Sequence, residues 1–497
     1  MQRNVTLITK DKKVTVVGLA RSGVGAANLL SRLGADVTVT DIKGKEELRD
    51  FISRLNSSVK LVAGAHPEQI FTTADLIVIS PSVPLNIPPI VNAHSKGVPV
   101  VGELELAYQI LRGFETRSNE HTREIKKQIE FLAVTGTNGK STTTALLAFI
   151  MRKGHFNTIV GGNIGNALTE EIYKRTEMPD NRRNGTVDIS NINVDYIVTE
   201  VSSFQLESIR DFRPHVATIL NITPDHLDRY HSVEEYISAK KRISENQKEG
   251  DFIVLNRDDP ATMQLYDTKY RRLNNYAPNI YFFSRREVVE GVYCKGGTVY
   301  HNFPDKHRDP YPKPLINANE IKIRGIHNLE NAMAASAMAL LANCPIEAVR
   351  ESLMEFPGLE HRLEFVREVR GVQYFDDSKG TNIGAVAKSL ESFQEPIILI
   401  AGGRDKAGDF TILRPFVKKS VKALVLIGEA REKIRDALGD ITRTIVASDL
   451  REAVYIAQRL AIRGDIVLLS PACASFDMFI DFEDRGRQFK EIVMELQ

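Results

Sequence analysis

The chain has 497 residues, too long for one ordinary domain of about 100–200 residues, so a multidomain protein with a large buried core is expected. Its 65 lysines and arginines balance 64 acidic residues to a net charge of +1, which argues against nucleic acid as a partner and requires any anionic ligand to be held locally. The three cysteines (Cys294, Cys344, Cys473) are far apart and form no C-x-x-C pair, the N-terminus lacks a signal-like apolar core, and no run nears the roughly 18 apolar residues of a membrane span; a protein of the reducing cytoplasm is expected.

In chain order, the runs VTVVG (14–18), DVTVTD (36–41), LIVISP (76–81) and VPVVG (98–102) alternate with helix-like stretches, the pattern of a small doubly wound domain over 1–101. The loop GLARSGVG (18–25) is similar to the dinucleotide fingerprint, with Asp41 ending the second strand where a ribose contact would stand. Ala20 occupies the middle-glycine position, so a packing turn and a nucleotide-binding turn both stay open, with NAD disfavoured.

A helix is expected after Glu103, followed by a charged stretch at 116–130 that reads as a surface insertion or solvated helix. Strands at EFLAVTG (from Glu130), DYIVTEV (195–201), VATILNIT (216–223) and DFIVLN (251–256) build a larger α/β domain over 102–357, with the polar segment 175–195 as a loop insertion. Within it, AVTGTNGKSTTTALL (133–147) runs strand, loop, helix. Valine stands at 134, where the usual phosphate loop carries glycine, but Gly136 and Gly139 supply the turn. Backbone N–H groups of Gly136, Thr137, Asn138 and Gly139, with the start of a helix, suit a phosphate; Lys140 would reach the β- and γ-phosphates, and Ser141 and Thr142 suit magnesium or phosphate oxygens.

Glu200 ends the next strand, at the edge where α/β sheets bind ligands, and is either a magnesium ligand or a solvated loop acid. The strand-end loop NITPDHLDRYHS (221–232) gathers Asp225, His226 and Asp228. In HSVEEYISAKKRISEN (231–246), Ser232 and Glu235 form a capping box, and Val233, Tyr236, Ile237 and Ile243 mark an apolar face that includes Lys240 but not Lys241 or Arg242. A lysine buried there has a lowered pKa and a reactive neutral amine; the alternative is a snorkelling side chain. A third α/β domain over 358–497 follows the linker-like EFPGLEHRLE (355–364), with strands at VQYFDDS (372–378), PIILIAGG (396–403), ALVLIG (423–428), TIVAS (444–448) and DIVLLSPA (465–472).

Eight ordered motifs, GTNGKST (136–142), EVSSFQLE (200–207), TPDHLDRYHS (223–232), SAKKR (238–242), GIHNLENAMAA (325–335), GLEHRLE (358–364), DDSKGTN (376–382) and LLSPACASFDMF (468–479), make the chain similar to the muramyl ligase family over nearly its whole length. The resemblance implies three α/β domains: a Rossmann-like N-terminal domain for a UDP-linked substrate, a central P-loop-type ATPase domain, and a Rossmann-like C-terminal domain for an amino acid. The form of the first domain and SPACASFDMF favour the D-glutamate-adding branch of the family. The implied reaction, in peptidoglycan synthesis, activates the carboxylate of UDP-N-acetylmuramoyl-L-alanine with ATP as an acyl phosphate, which D-glutamate then attacks.

By the same resemblance Ser141 and Glu200 hold one Mg2+, and His226 and a carbamate on Lys240 hold a second. Lys140, His226 and Lys240 are the expected catalytic residues. His327, Asn328 and Asn331 fall on the adenine and ribose side of the ATP site, and Arg362, Asp377 and Lys379 on its phosphate or ribose side. Arg21, Ser22, Asp41, Ile42 and Lys43 correspond to the uridine-diphosphate pocket, Asn163, Ser202 and Gln205 to its muramoyl end, and Lys406, Ser475, Phe476 and Phe482 to the D-glutamate site. A monomer is expected.

Overall fold

The computed structural model describes residues 11–121, 128–176, 182–183, 186–187, 192–223, 229–230, 232–266, 278–303, 312–405 and 408–497. The chain divides into two compact units, one of Met1–Ala318 with Asn331–Leu353 and one of Asn319–Glu330 with Met354–Gln497.

The first unit holds two large sheets. In one, β1 (Lys13–Val17), β2 (Asp36–Asp41), β3 (Lys60–Ala63), β4 (Leu76–Ile79) and β5 (Val100–Gly102) run parallel in the order β3-β2-β1-β4-β5. Four of the five residues of β1 and all four of β4 are buried, as strands covered on both faces require. The order reverses between β1 and β4, so the loop after β1 opens at a crevice where such sheets take ligands.

The second sheet comprises β6 (Glu130–Thr135), β7 (Thr158–Gly162), β10 (Tyr196–Glu200), β11 (Val216–Ile219), β12 (Phe252–Asn256), β13 (Asn279–Ser284), β14 (Gly291–Lys295), β15 (Thr298–Asn302) and β16 (Lys313–Asn317). Its order is β16-β15-β14-β13-β12-β11-β6-β10-β7, parallel from β14 to β7 and antiparallel through β15 and β16. Within the polar segment, β8 (Arg182–Arg183) and β9 (Thr186–Val187) form a small antiparallel pair of their own. The charged stretch begins as the end of a long helix, Glu103–His121. Buried residues of both sheets belong to one apolar core, from Val14 and Val39 through Phe131 and Phe212 to Leu255.

The second unit carries β17 (Glu364–Val369), β18 (Val372–Asp376), β19 (Ile397–Gly402), β20 (Val421–Ile427), β21 (Arg443–Val446) and β22 (Ile466–Leu469), in the order β17-β18-β22-β19-β20-β21 with only β17 antiparallel. One face packs on the helices Leu450–Leu460 and Phe482–Glu495, the other on Ile383–Glu391 and Arg431–Leu438. Asn382, Asp449 and Asp481 each cap a helix by accepting the N–H three residues on, so short polar residues fix where these helices begin. Among the described residues no helix is long and apolar enough to cross a membrane, and none of the three cysteines forms a disulfide.

Candidate functional site

The glycine loop leaves β6, which lies between β11 and β10 in the second sheet, and turns into the helix Lys140–Lys153, whose N-cap, Gly139, provides no capping side chain. A helix start of this kind directs backbone N–H groups and the positive end of the helix dipole at one point. The neighbouring strand end holds the loop: Thr137 N donates to Asn221 O (2.9 Å) and Asn138 N to Asn221 Oδ1 (2.8 Å). Lys140 Nζ lies across the loop on Thr137 O at 2.8 Å. Gly139 has φ +82°, and a Cβ there would stand 2.3 Å from Asn331 Oδ1, which accepts from Thr143 Oγ1 at 3.2 Å. Val134 is a fully buried residue of β6, so the position that lacks the usual glycine belongs to the core.

Glu200 ends β10, in register with Val134 of β6 on one side and Gly162 of β7 on the other. Asn163 binds it twice, N to Glu200 O at 2.9 Å and Nδ2 to Oε1 at 2.7 Å. Oε2 is sealed from solvent and has no hydrogen-bond partner among the described residues. A buried carboxylate oxygen without a donor fits a divalent cation, and the hard oxygen chemistry of Glu200 and Ser141 suits Mg2+.

Lys240 approaches the loop from the helix Val233–Lys241, which Ser232 caps by accepting Glu235 N. The lysine is 1% exposed, donates to Gly136 O at 2.8 Å and stands 4.5 Å from the centre of the Tyr236 ring, so it is buried rather than snorkelling. Tyr236 in turn places its hydroxyl 3.1 Å from Thr137 Oγ1. His226, with Asp225 and Asp228, lies outside the described residues. Ser202 and Gln205 engage each other in a capping box on the short helix after β10.

In the first sheet, Asp41 shapes the loop after β1: its Oδ2 accepts Leu19 N at 2.6 Å and its Oδ1 accepts Lys43 N at 2.9 Å. Ser22 donates to Ser80 Oγ at 3.3 Å, and Arg21 Nη1 to Gly165 O at 3.1 Å. Ile42 is 66% exposed beside them. The expected pocket residues therefore gather at the crevice, with Asp41 engaged by backbone N–H groups.

In the second unit Asp377 follows β18 and is buried, its Oδ2 accepting from Ser389 and Ser470 at 2.6 Å each; burial pushes its pKa up to about 6. Lys379 Nζ stands 3.5 Å from the centre of the Phe482 ring. Ser475 is buried, whereas Phe476 and Arg362 are exposed and Lys406 lies outside the described residues. His327 has carboxylates of Glu330 and Glu391 at 3.9 and 3.7 Å, and Asn328 donates to Arg324 O. Asn331, expected beside them, belongs to the first unit and touches the glycine loop. Sequence reasoning missed two groups in this unit. His361 Nδ1 lies 2.6 Å from Asp376 Oδ2, and fully buried Arg485 donates to both Ser378 oxygens at 2.9 Å, its pKa pushed down to about 10 by burial. An Arg-Gly pair gives no sign of such burial, whereas His361 lies within the motif GLEHRLE (358–364).

Three family descriptions match the chain: Mur ligase MurD-like N-terminal domain over 12–102, Mur ligase middle domain over 134–339, and Mur ligase glutamate ligase domain over 361–473. Among curated relatives, UDP-N-acetylmuramoylalanine--D-glutamate ligase of Geotalea daltonii is 44% identical over 98% of both chains. The protein of that name from Acidobacterium capsulatum is 41% identical over 98% of this chain and 96% of its own. Solved structures share the fold at lower identity: MurF of Acinetobacter baumannii (17% identical, TM-score 0.58, 96% of this chain and 93% of that one) and the UDP-N-acetylmuramate-alanine ligase MurC of Thermotoga maritima (20%, 0.53, 97% and 99%). Three family descriptions in chain order and near-complete alignment with relatives above 40% identity place this chain in the Mur ligase family.

Proposed function

We propose that this protein is an ATP-dependent ligase that joins the amine of D-glutamate to the carboxylate of UDP-N-acetylmuramoyl-L-alanine in the cytoplasm, as a monomer. The observation that carries the reading is the convergence on one loop of a phosphate-binding helix start, buried Lys240 and, on the adjacent strand, Glu200 with its unpartnered oxygen. Near-full-length relatives bearing the D-glutamate ligase name support the choice of substrates.

A carboxylate is a poor electrophile. Transfer of the γ-phosphoryl group of ATP to it releases ADP and leaves an acyl phosphate; the amine then attacks the carbonyl carbon, the C–O bond to phosphate breaks, and amide, phosphate and a proton result. Lys140, turned from Thr137 O toward the phosphates, and the helix start stabilise charge on the transferring group. Glu200 and Ser141 would hold one Mg2+, and His226 with a carbamate on Lys240 a second. When bound, magnesium supplies the positive charge that lets a phosphate approach a carboxylate. The carbamate forms when the neutral amine of Lys240 adds to carbon dioxide and loses a proton.

In the second unit Arg362, Asp377 and Lys379 serve the nucleotide, and Lys406, Ser475, Phe476 and Phe482 serve D-glutamate. Phosphate release from ATP and Mg2+ with UDP-N-acetylmuramoyl-L-alanine tests the reading. It should depend on D-glutamate and not on L-glutamate, L-alanine, L-lysine or diaminopimelate. Release with another amino acid would move the protein to a sibling ligase, and none at all would favour a nucleotide-binding regulator.

A further inference from the structure

Glu103 is the first residue of the helix that leaves β5, and it is 2% exposed. Its Oε1 accepts from both Thr169 N (2.7 Å) and Thr169 Oγ1 (2.8 Å). Thr169 is the second residue of the helix Leu168–Thr176, so a carboxylate from a distant element caps that helix and meets the positive end of its dipole. On its other flank Thr169 meets the Arg21–Arg32 helix at Gly25, where a Cβ would stand 2.9 Å from Thr169 Oγ1 and 3.0 Å from Glu170 N. Gly25, read from sequence as part of a nucleotide fingerprint, thus serves the close approach of two helices.

The capped helix is preceded by the 162–167 loop, which folds on itself through Gly162 N to Asn166 O (3.0 Å) and is fixed to the helix by Asn166 Nδ2 to Glu171 Oε1 (2.7 Å). That loop carries Asn163, which holds Glu200 Oε1, and Gly165, whose carbonyl accepts from Arg21. Arg54, in a turn, pairs with Glu170 at 3.3 Å, and Arg32, at the end of the Arg21–Arg32 helix, donates to Tyr173 at 2.7 Å, so the helix is held at two further points by residues of the first sheet's layer. One element therefore joins the crevice of the first sheet to the carboxylate beside the glycine loop.

We propose that Glu103 is a positioning residue for the reaction: by capping the Leu168–Thr176 helix it sets the 162–167 loop and, through Asn163, the orientation of Glu200. The inference rests on the reading of Glu200 as a metal ligand. Removing the cap lets the loop drift and frees the Glu200 side chain, which weakens metal binding without touching the groups that move the phosphoryl group.

The test measures Mn2+ binding by electron paramagnetic resonance to the full chain with a saturating non-hydrolysable ATP analogue. Glu103→Ala should weaken Mn2+ binding about tenfold, the usual scale for residues that orient a metal ligand. Glu103→Gln, whose amide oxygen still accepts both bonds, should lose no more than about threefold, and kcat at saturating Mg2+ should stay within about twofold for both. A folded Glu103→Ala protein with wild-type Mn2+ affinity overturns the proposal. If that variant does not fold, Thr169→Val, which deletes one of the two donors, should weaken binding about threefold, and unchanged affinity overturns it equally. Glu200→Gln separates the premises: wild-type Mn2+ affinity there removes the metal role of Glu200 and the proposal with it, whereas weak binding there with normal binding in Glu103→Ala overturns the cap alone. Wild-type protein that binds Mn2+ but shows no D-glutamate-dependent phosphate release leaves the cap standing and overturns the ligase reading.

Discussion

Lys140 and Lys240, on two different helices, both donate to carbonyls of the same glycine loop, Thr137 O and Gly136 O. Their fates on substitution should differ. Lys140→Ala removes a charge that acts on the transferring phosphoryl group and should lower turnover by about a thousandfold or more, measured as phosphate release. Lys240→Ala should also inactivate, but short carboxylic acids added to the assay should partly restore activity by standing in for the carbamate; full activity without them would exclude that group. Asp377 offers a pH signature. Its folded pKa, about 6, is raised from 3.8, so ionising it costs the folded state more than the unfolded one. The stability of its unit should fall as pH rises from about 4 to 6, by about 3 kcal/mol from this group, and stay lower above that window. Asp377→Asn should flatten that slope in urea unfolding followed across pH.

At the scale of elements, the start of the Lys140–Lys153 helix tolerates no side chain at its cap. Gly139→Ala would force an alanine to φ +82° and drive its Cβ against Asn331 Oδ1, costing about 1–2 kcal/mol from backbone strain alone. Loss of ATP-analogue binding in calorimetry, with a lowered melting temperature, is the expected result. The strand runs of Val, Ile and Leu that announced β1, β4, β6, β10 and β19 were legible because parallel strands are buried on both faces. The edge strands β5 and β21 were read as well, but β3 and β17 were not: β3 (KLVA) has no buried residue and β17 (EFVREV) only one, so their apolar stretches are short and mixed with charged residues. The site was legible where a local pattern carried it, as with Lys240 on the apolar side of a capped helix. Its supports were not, because Asn163 meets Glu200, and Glu103 meets Thr169, only through strand register and helix packing between segments far apart in sequence.

At the scale of the molecule, two separately compact units predict two unfolding transitions in calorimetry. A non-hydrolysable ATP analogue with Mg2+ at about 100 times its dissociation constant should raise the stability of the unit that holds the glycine loop by about 2.7 kcal/mol, and Lys140→Ala should abolish most of that gain. The order of the second sheet also bears on how the protein is made. β6, the strand that launches the glycine loop, is flanked by β10 and β11 rather than by β7, the next strand along the chain. A ribosome adding about 5–20 residues per second needs about 3–12 s to make the roughly sixty residues between β6 and β10. For that interval the apolar segment FLAV has emerged without either neighbour, and the nascent chain is most exposed to misassociation at the strand on which its chemistry later depends.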